Sequence, residues 1–433
     1  MTTKLTLKKA TRIEGNADIH IEFEGNRLKS ARFQVLEFRG FEKFASGRRA
    51  EWVPHMISRI CGLCSTAHQV AGVRAIENAI GLEVDVRTRQ LREIMVLGEW
   101  ISSHSLSYFF LSSPDFMGAE GGIFALRKNY PETFDEAFAM RRTAMDLVQL
   151  FGKRNTHAVT LAPGRFLGTF DQAVLSKAKE KAASLKEKIP SVIAKVSDRW
   201  EPDREIEFPE DLKVHFVAYS DSRAENGFFV YNRSGQLVNR FTVDEFEEKI
   251  AEMRVDWSLS KIPYLEQLGF PEGIMLVGPL ARSFLENGFL SDPEIRQFDI
   301  SKTLLDSPVI TLESYDVCRL LEMYWAAKRI ETLLENIGAE NTPPKPDWEA
   351  AGQGLGVSEA PRGLLIHKYR VNNGYVDKIR LLVATQFNNA FINLLITDLA
   401  QRHSLNGKLT ETGNRLIGRC IRLLDPCLSC ATH

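Results

Sequence analysis

Six cysteines occur in this chain, and four of them stand in two Cys-x-x-Cys pairs. The first pair is Arg59-Ile60-Cys61-Gly62-Leu63-Cys64; the second is Asp425-Pro426-Cys427-Leu428-Ser429-Cys430, three residues from the last one. Two intervening residues let both sulfurs of a pair converge on one side of a turn, and thiolates are soft ligands suited to zinc, iron and nickel. Six cysteines among 433 residues are too few for a disulfide framework. A structural zinc on four thiolates is one reading, although zinc ribbons place their pairs ~15–20 residues apart and these stand near opposite ends of the chain. A redox pair of thioredoxin type at Cys61 and Cys64 needs a βαβ setting, and the surrounding period is helical. Buried cysteines acting as small hydrophobes are a third reading, against which two independent pairs argue. The residues alone thus reach a thiolate-rich metal centre joining the two ends of the chain, with the metal unnamed.

The elements that must position those sulfurs follow from periodicity. Asp18-Ile19-His20-Ile21-Glu22-Phe23-Glu24 alternates polar and apolar as a half-buried strand does, Gly25-Asn26 supplies a turn, and Arg32-Phe33-Gln34-Val35 resumes the alternation. From about Trp52 the period changes: Val70, Val73, Ile76 and Ile80 predict an amphipathic helix after Cys64, ending near Gly81. Further helices are expected through Leu91, Ile94, Leu97 and Ile101, over about residues 132–153, from Asp171 with a kink or break at Pro190, and from Tyr315 to Ile337. Strands are expected between 205 and 245 and from Gly363 to Thr385 around Asn372-Asn373-Gly374. A helix from Asn388 to about His403 and a last one leading into Asp425-Pro426 complete the reading. The expected class is mixed α+β, mainly helical: a central bundle of long helices with an N-terminal β-sheet and a smaller β segment. The expected division is an N-terminal β region at 1–50, a helical region with the first cysteine pair at 51–204, a β insertion at 205–245, and a helical and mixed region with the second pair at 246–433.

Composition excludes several classes of partner. With 26% charged residues and a net charge of -1, the chain lacks the basic excess of a nucleic-acid surface. No apolar run approaches the ~20 residues that span a bilayer; the most apolar helix, around Ile94 to Ser112, is interrupted by Glu99 and His104. Met1-Thr2-Thr3-Lys4 opens no signal-peptide stretch, so a cytoplasmic chain is expected. No Gly-x-Gly-x-x-Gly or phosphate-binding loop is present, so a nicotinamide or flavin site would lie on another chain. Cys318 and Cys420 alone cannot supply an iron–sulfur relay.

Arg-x-Cys-Gly-x-Cys near one end with Asp-Pro-Cys-x-x-Cys-x-x-His at the other resembles the signature of nickel–iron hydrogenase large subunits. Thr11-Arg12-Ile13-Glu14-Gly15, Arg39-Gly40-Phe41-Glu42, Gly278-Pro279-Leu280-Ala281-Arg282 and Glu359-Ala360-Pro361-Arg362-Gly363 resemble further motifs of that family, in chain order from residue 11 to 433. The resemblance implies the large-subunit fold and a catalytic chain that cleaves dihydrogen reversibly into protons and electrons. It implies a nickel held by Cys61, Cys64, Cys427 and Cys430, with Cys64 and Cys430 bridging to an iron that carries carbon monoxide and cyanide. Heterolytic cleavage needs a Lewis acid and a nearby base for the proton. Glu14 would take the proton from Cys427, and His68 would donate a hydrogen bond to the sulfur of Cys64. Arg362 would sit above the metals near a cyanide, as a cation and a candidate base, paired with Asp425. Thr385 would hydrogen-bond a cyanide. Glu42, His433 and a backbone carbonyl near Leu381 resemble ligands of a structural magnesium or iron. In the family an extension after that histidine is removed on maturation, so a chain ending at His433 reads as mature.

Departures refine the expectation. Asn16 follows Gly15 where histidine is commoner, Ala158 replaces a frequent proline, Arg165 a glycine and Phe387 a tryptophan, and Ser103 stands where respiratory members have an aspartate near the metals. These resemble the cytoplasmic, cofactor-coupled group. Its members pass electrons to an iron–sulfur small subunit and on, through flavin and iron–sulfur subunits, to NAD(P) or ferredoxin. Two rivals remain: a non-catalytic hydrogen-sensing homologue, which keeps the same site, and the homologous quinone-site subunit of respiratory complex I, which lacks the paired cysteines.

Overall fold

The structure is a computed structural model that describes residues 2–8, 10–117, 122–197, 206, 213–222, 226–305, 311–339 and 342–433. Its centre is a ring of four long helices: Val86–Ser105, Pro131–Gly152, Gln172–Ser197 and Ser314–Glu335. The first packs on the second and fourth, and the third packs on the same two, so the ring closes. The helices expected from the sequence turn apolar faces inward, with Leu91, Ile94, Leu147, Leu185, Leu320 and Ile330 buried together. Pro190 does not break the third helix; Gln172–Ser197 is continuous. The lost N–H bond is offset by burial on both sides of it, through Leu185, Ile189, Val192 and Ile193.

The N-terminal sheet has three antiparallel strands in the order Thr2–Lys8, Ala17–Glu24, Arg27–Val35. Its middle strand buries Ala17, Ile19, Ile21 and Phe23 and turns the intervening residues outward, as the alternation required. The Arg27–Val35 strand lies against the Ala384–Arg402 helix, where Asn393 Oδ1 accepts the N–H of Phe33 at 2.9 Å. Between 213 and 276 a second sheet runs Met275–Leu276, His215–Asp221, Asn226–Tyr231, Leu237–Phe241, beside a hairpin of Ile250–Val255 and Ser258–Leu265.

The sheet that matters most for the site is Gly352–Ala360, Gly363–Asn372, Tyr375–Leu382 and Arg48–Arg49, in that order. Ala360 pairs with Gly363, so Pro361 and Arg362 form a two-residue hairpin tip. Asn373 and Gly374, both at positive φ, form the next tip, as the Asn-Gly pair predicts. The first strand lies on the Ser65–Ala79 helix, which starts directly after Cys64. Gly352, Gly354 and Gly356 face Ala79, Ala75 and Ala71, and a Cβ on any of the three would lie 2.0–2.1 Å from the facing carbonyl oxygen. Two strand residues advance about 6.6 Å and four helix residues about 6 Å, so the two spacings stay in step for three contacts. That zipper ties the first cysteine pair to the hairpin carrying Arg362.

Three features differ from the sequence reading, the first being that the β segment expected to end at 245 continues through the Ile250–Val255 and Ser258–Leu265 hairpin to Met275–Leu276. The strand at 352–360 has no apolar alternation to reveal it, because every second residue of its first half is glycine. The last sheet strand ends at Leu382 and helix begins at Ala384, not Asn388, so Thr385 is helical. Gln386 at the third helical position supports this start: its Oε1 reaches back to accept the N–H of the N-cap residue Val383 at 2.9 Å, the half of a capping box that needs no polar side chain at the N-cap.

Candidate metal centre

The four motif sulfurs meet. Cys61 and Cys427 are 3.2 Å apart, Cys64 and Cys430 3.2 Å, and Cys427 and Cys430 3.0 Å. All lie within 4.8 Å of one another, all are buried, and none is in a disulfide. Hydrogen bonds from the neighbouring thiols, with help from the Arg362 cation, push the Cys61 thiol well down, while burial pushes Cys430 well up. Four thiols buried side by side thus resist ionising together, and a multivalent cation would remove that conflict. The donor set fits a soft transition metal.

Each pair sits where a helix begins. Cys64 is the N-cap of Ser65–Ala79, and Cys427 the N-cap of the short Leu428–Ala431 helix. Glu14 joins the second turn as an isolated β-bridge partner of Cys427. Its carboxylate accepts from the Ser429 N–H at 3.1 Å and the Ser429 hydroxyl at 2.5 Å. Burial and the charge of Cys427 raise its pKa to about 7. Arg12, at positive φ, anchors this segment on Asp115, which also holds Arg422.

Arg362 is buried and makes a fork onto Asp425: Nη2 to Oδ1 at 2.9 Å and Nε to the backbone carbonyl at 2.8 Å. Its third contact is Ser103 Oγ at 3.3 Å. Burial alone would lower its pKa, but Asp425 and the cysteines outweigh that and hold it protonated. Thr385 Oγ1 accepts the Cys427 N–H at 2.9 Å, which leaves its own hydrogen free to donate. Glu42 and His433 also come together, Nε2 to Oε1 at 3.6 Å; Glu42 accepts the Leu381 N–H at 2.8 Å, and His433 Nδ1 meets the Cys430 carbonyl at 2.8 Å.

His68 is placed differently from the expectation. Its Nε2 meets Cys430 at 3.6 Å rather than Cys64, to whose carbonyl only its backbone N–H is bonded. One turn along a helix puts the ring on the same face as Cys64 but directs it across the gap to the other pair. Behind it, His68 Nδ1 lies 3.0 Å from His367 Nε2, and His367 Nδ1 lies 2.6 Å from the Tyr369 hydroxyl. Burial lowers both imidazoles, His68 to about 3, so both are neutral. With a thiolate as the end acceptor the chain runs one way: Tyr369 donates to His367, His367 to His68, and His68 to the sulfur.

Sequence reasoning missed His367 and Tyr369, and also Arg282. That guanidinium uses all five of its donors: Glu322 twice at 2.7 Å, Glu359 at 2.8 Å, and the carbonyls of Ala360 at 3.0 Å and Pro361 at 3.2 Å. It clamps the two residues before Arg362. The Gly278-Pro279-Leu280-Ala281-Arg282 motif was the available signal, with no indication of what it touched.

Known proteins resemble the chain along its whole length. Residues 39–121 and 215–433 match the nickel-dependent hydrogenase family, and residues 4–38 match a HoxL-like family. An F420-non-reducing hydrogenase subunit from Methanothermobacter marburgensis is 31% identical, over 99% of this chain and 94% of that protein. The beta subunit of the NAD-reducing hydrogenase HoxS of Cupriavidus necator is 26% identical, over 100% and 95%. Among solved structures, an NAD+-reducing nickel–iron hydrogenase in the H2-reduced state superposes with a TM-score of 0.90 at 25% identity, covering 100% of this chain and 99% of that one. The Ni-Fe-Se hydrogenase of Desulfovibrio vulgaris Hildenborough shares the fold, with a TM-score of 0.78 at 23% identity and full coverage of both chains.

Proposed function

We propose that this chain, which belongs to the nickel-dependent hydrogenase family as a large subunit, cleaves dihydrogen reversibly and passes the electrons to an iron–sulfur small subunit. From there they would run through further flavin and iron–sulfur subunits to NAD(P) or ferredoxin. The observation that carries the reading is the convergence of four buried sulfurs from the two ends of the chain. Cys61, Cys64, Cys427 and Cys430 would hold nickel, with Cys64 and Cys430 shared by an iron carrying carbon monoxide and cyanide. Bound there, the centre would supply a redox-active Lewis acid against which dihydrogen is polarised.

The chain's own residues do the rest. Arg362 would offset the negative charge of the sulfurs and face a cyanide, its direction set by the Asp425 fork. Thr385 would donate its hydroxyl hydrogen to a cyanide. Glu14 would take the proton from Cys427 and pass it outward. Glu42, His433 and the Leu381 carbonyl would hold a hard cation, magnesium or iron, under the C-terminus. No helix among the described residues is long and apolar enough to cross a membrane, and with the departures noted above we infer a cytoplasmic enzyme. The test is elemental analysis and infrared spectroscopy of the complex purified with its native partners. Nickel should track activity, and carbon monoxide and cyanide bands should be present. Zinc alone, at full occupancy in an active sample, would refute the assignment.

A further inference from the structure

A helix begins with N–H groups that its own turns cannot satisfy, and the N-cap side chain ordinarily accepts one of them. The Ser65–Ala79 helix cannot use that device. Its N-cap is Cys64, which makes no side-chain cap bond and whose sulfur is turned to Cys430. Two of the orphan donors are taken by Glu99, from the Val86–Ser105 helix: Oε1 accepts from Thr66 N at 2.7 Å and Oε2 from Ala67 N at 3.0 Å. Glu99 is only 8% exposed. Burial raises its pKa to about 7, while those two N–H groups and Arg362 favour its charged form. The second cysteine turn repeats the arrangement. Cys427 is an N-cap without a side-chain cap bond, and Glu14 takes the Ser429 N–H on its carboxylate and the Leu428 N–H on its carbonyl.

We propose that Glu99 is a positioning residue of the metal centre: it caps the first cysteine-bearing helix in place of Cys64, and so fixes the turn that aims Cys64 and His68. This rests on reading the four cysteines as the metal centre. A carboxylate is the side chain that can serve two N–H groups at once, and the positive end of a helix favours it. Glu99 touches no sulfur, so it acts through the backbone of the Cys64 turn.

The test uses the purified holoenzyme complex and three variants, with nickel retention and infrared bands as readouts. Glu99→Ala removes both acceptors. Glu99→Gln keeps one. Asp85→Ala is the matched control: Asp85 caps the Val86–Ser105 helix through Thr88, at 2.9 and 2.7 Å, away from the site. Each alanine variant should lower the thermal midpoint by about 1–2 °C, the effect of one lost cap in a chain of this length. Only Glu99→Ala should speed nickel loss to a chelator, by about 10–100-fold as expected for a lost supporting contact, and shift the carbon monoxide and cyanide bands. Glu99→Gln should fall between. Wild-type nickel retention and bands in Glu99→Ala overturn the proposal, as does an equal loss of nickel in Asp85→Ala. If Glu99→Ala does not fold, Glu99→Gln decides, and wild-type retention there overturns it. A wild-type enzyme that holds no nickel sinks the metal assignment instead.

Discussion

A carboxylate that passes a proton on must hold one near neutral pH and release it again, and Glu14 has the setting for that. Burial and Cys427 raise its pKa, and two hydrogen bonds from Ser429 keep the rise modest. Glu14→Gln preserves shape and one acceptor, and its amide can donate to Ser429 Oγ, so the turn should survive. It cannot take up and pass on a proton. Metal content and infrared bands should therefore stay near wild type, while hydrogen–deuterium exchange and dihydrogen oxidation fall together by orders of magnitude. Arg362→Lys tests the rival base: it keeps the charge and loses the fork onto Asp425. Near-normal exchange in Glu14→Gln alongside lost exchange in Arg362→Lys would favour the arginine route. At this scale the sequence exposes what has a type and a spacing. The cysteines, Glu14, Arg362 and Asp425 were legible because motifs carry them. His367 and Glu99 were not, since each matters only through a partner more than 30 residues away, and Tyr369 acts through His367; Arg282 stood in a motif that gave no sign of the residues it holds. A glutamate within a helical stretch also reads as a solvated one until burial is known.

Among the elements, the zipper of Gly352, Gly354 and Gly356 on the Ser65–Ala79 helix makes the sharpest claim. A Cβ at Gly356 would lie 2.0 Å from Ala71 O and 2.4 Å from Ala75 N, both backbone atoms, so no side chain can move aside. Gly356→Ala should lower the thermal midpoint by the equivalent of about 3 kcal/mol, the upper range for overpacking. It should also lower nickel content, because lifting the strand draws the Arg362 hairpin off the cysteine turn. Gln353→Ala, on the exposed side of the same strand, should change stability by less than about 0.5 kcal/mol. Equal midpoints for the two variants would show the contact to be slack. Of the long helices, Pro131–Gly152 and Gln172–Ser197 keep one buried stripe, while Val86–Ser105 and Ser314–Glu335 are buried nearly all round over part of their length; large apolar residues three and four apart made all of them legible. This strand was not, since glycines mark a buried face by the absence of side chains. The start of the Ala384–Arg402 helix was hidden for a similar reason: its cap is Gln386 folding back on Val383, a geometry with no conventional capping residue at the boundary.

For the whole molecule, the cysteine pairs already implied that the two ends meet, and Glu14 against Cys427 and Arg39 N–H against the Thr432 carbonyl close them together. What the pairs could not indicate is how electrons leave. Cys318 and Cys420 are both buried, and two thiols cannot supply the four ligands of an iron–sulfur cluster, so under the proposed function the path would cross to a partner. The surface beside the site suggests where. Along residues 36–52, Leu36, Phe38, Phe44 and Trp52 are exposed, Phe38 at 70% and Trp52 at 60%, and between them Arg39 bonds the Ile60 carbonyl, one residue before Cys61. Large apolar side chains gathered on one short segment are expected to be covered in an assembly. Phe38→Ser with Trp52→Ser should leave the fold unchanged, since neither ring is packed in the core, and should weaken retention of the small subunit by at least about 30-fold if the two act as anchors. Dihydrogen-dependent reduction of the physiological acceptor should fall in step with small-subunit content, with nickel content unaffected. Stoichiometric, wild-type-affinity assembly in the double variant would place the interface elsewhere. A purified large subunit that reduced nicotinamide with dihydrogen unaided would contradict the electron route itself.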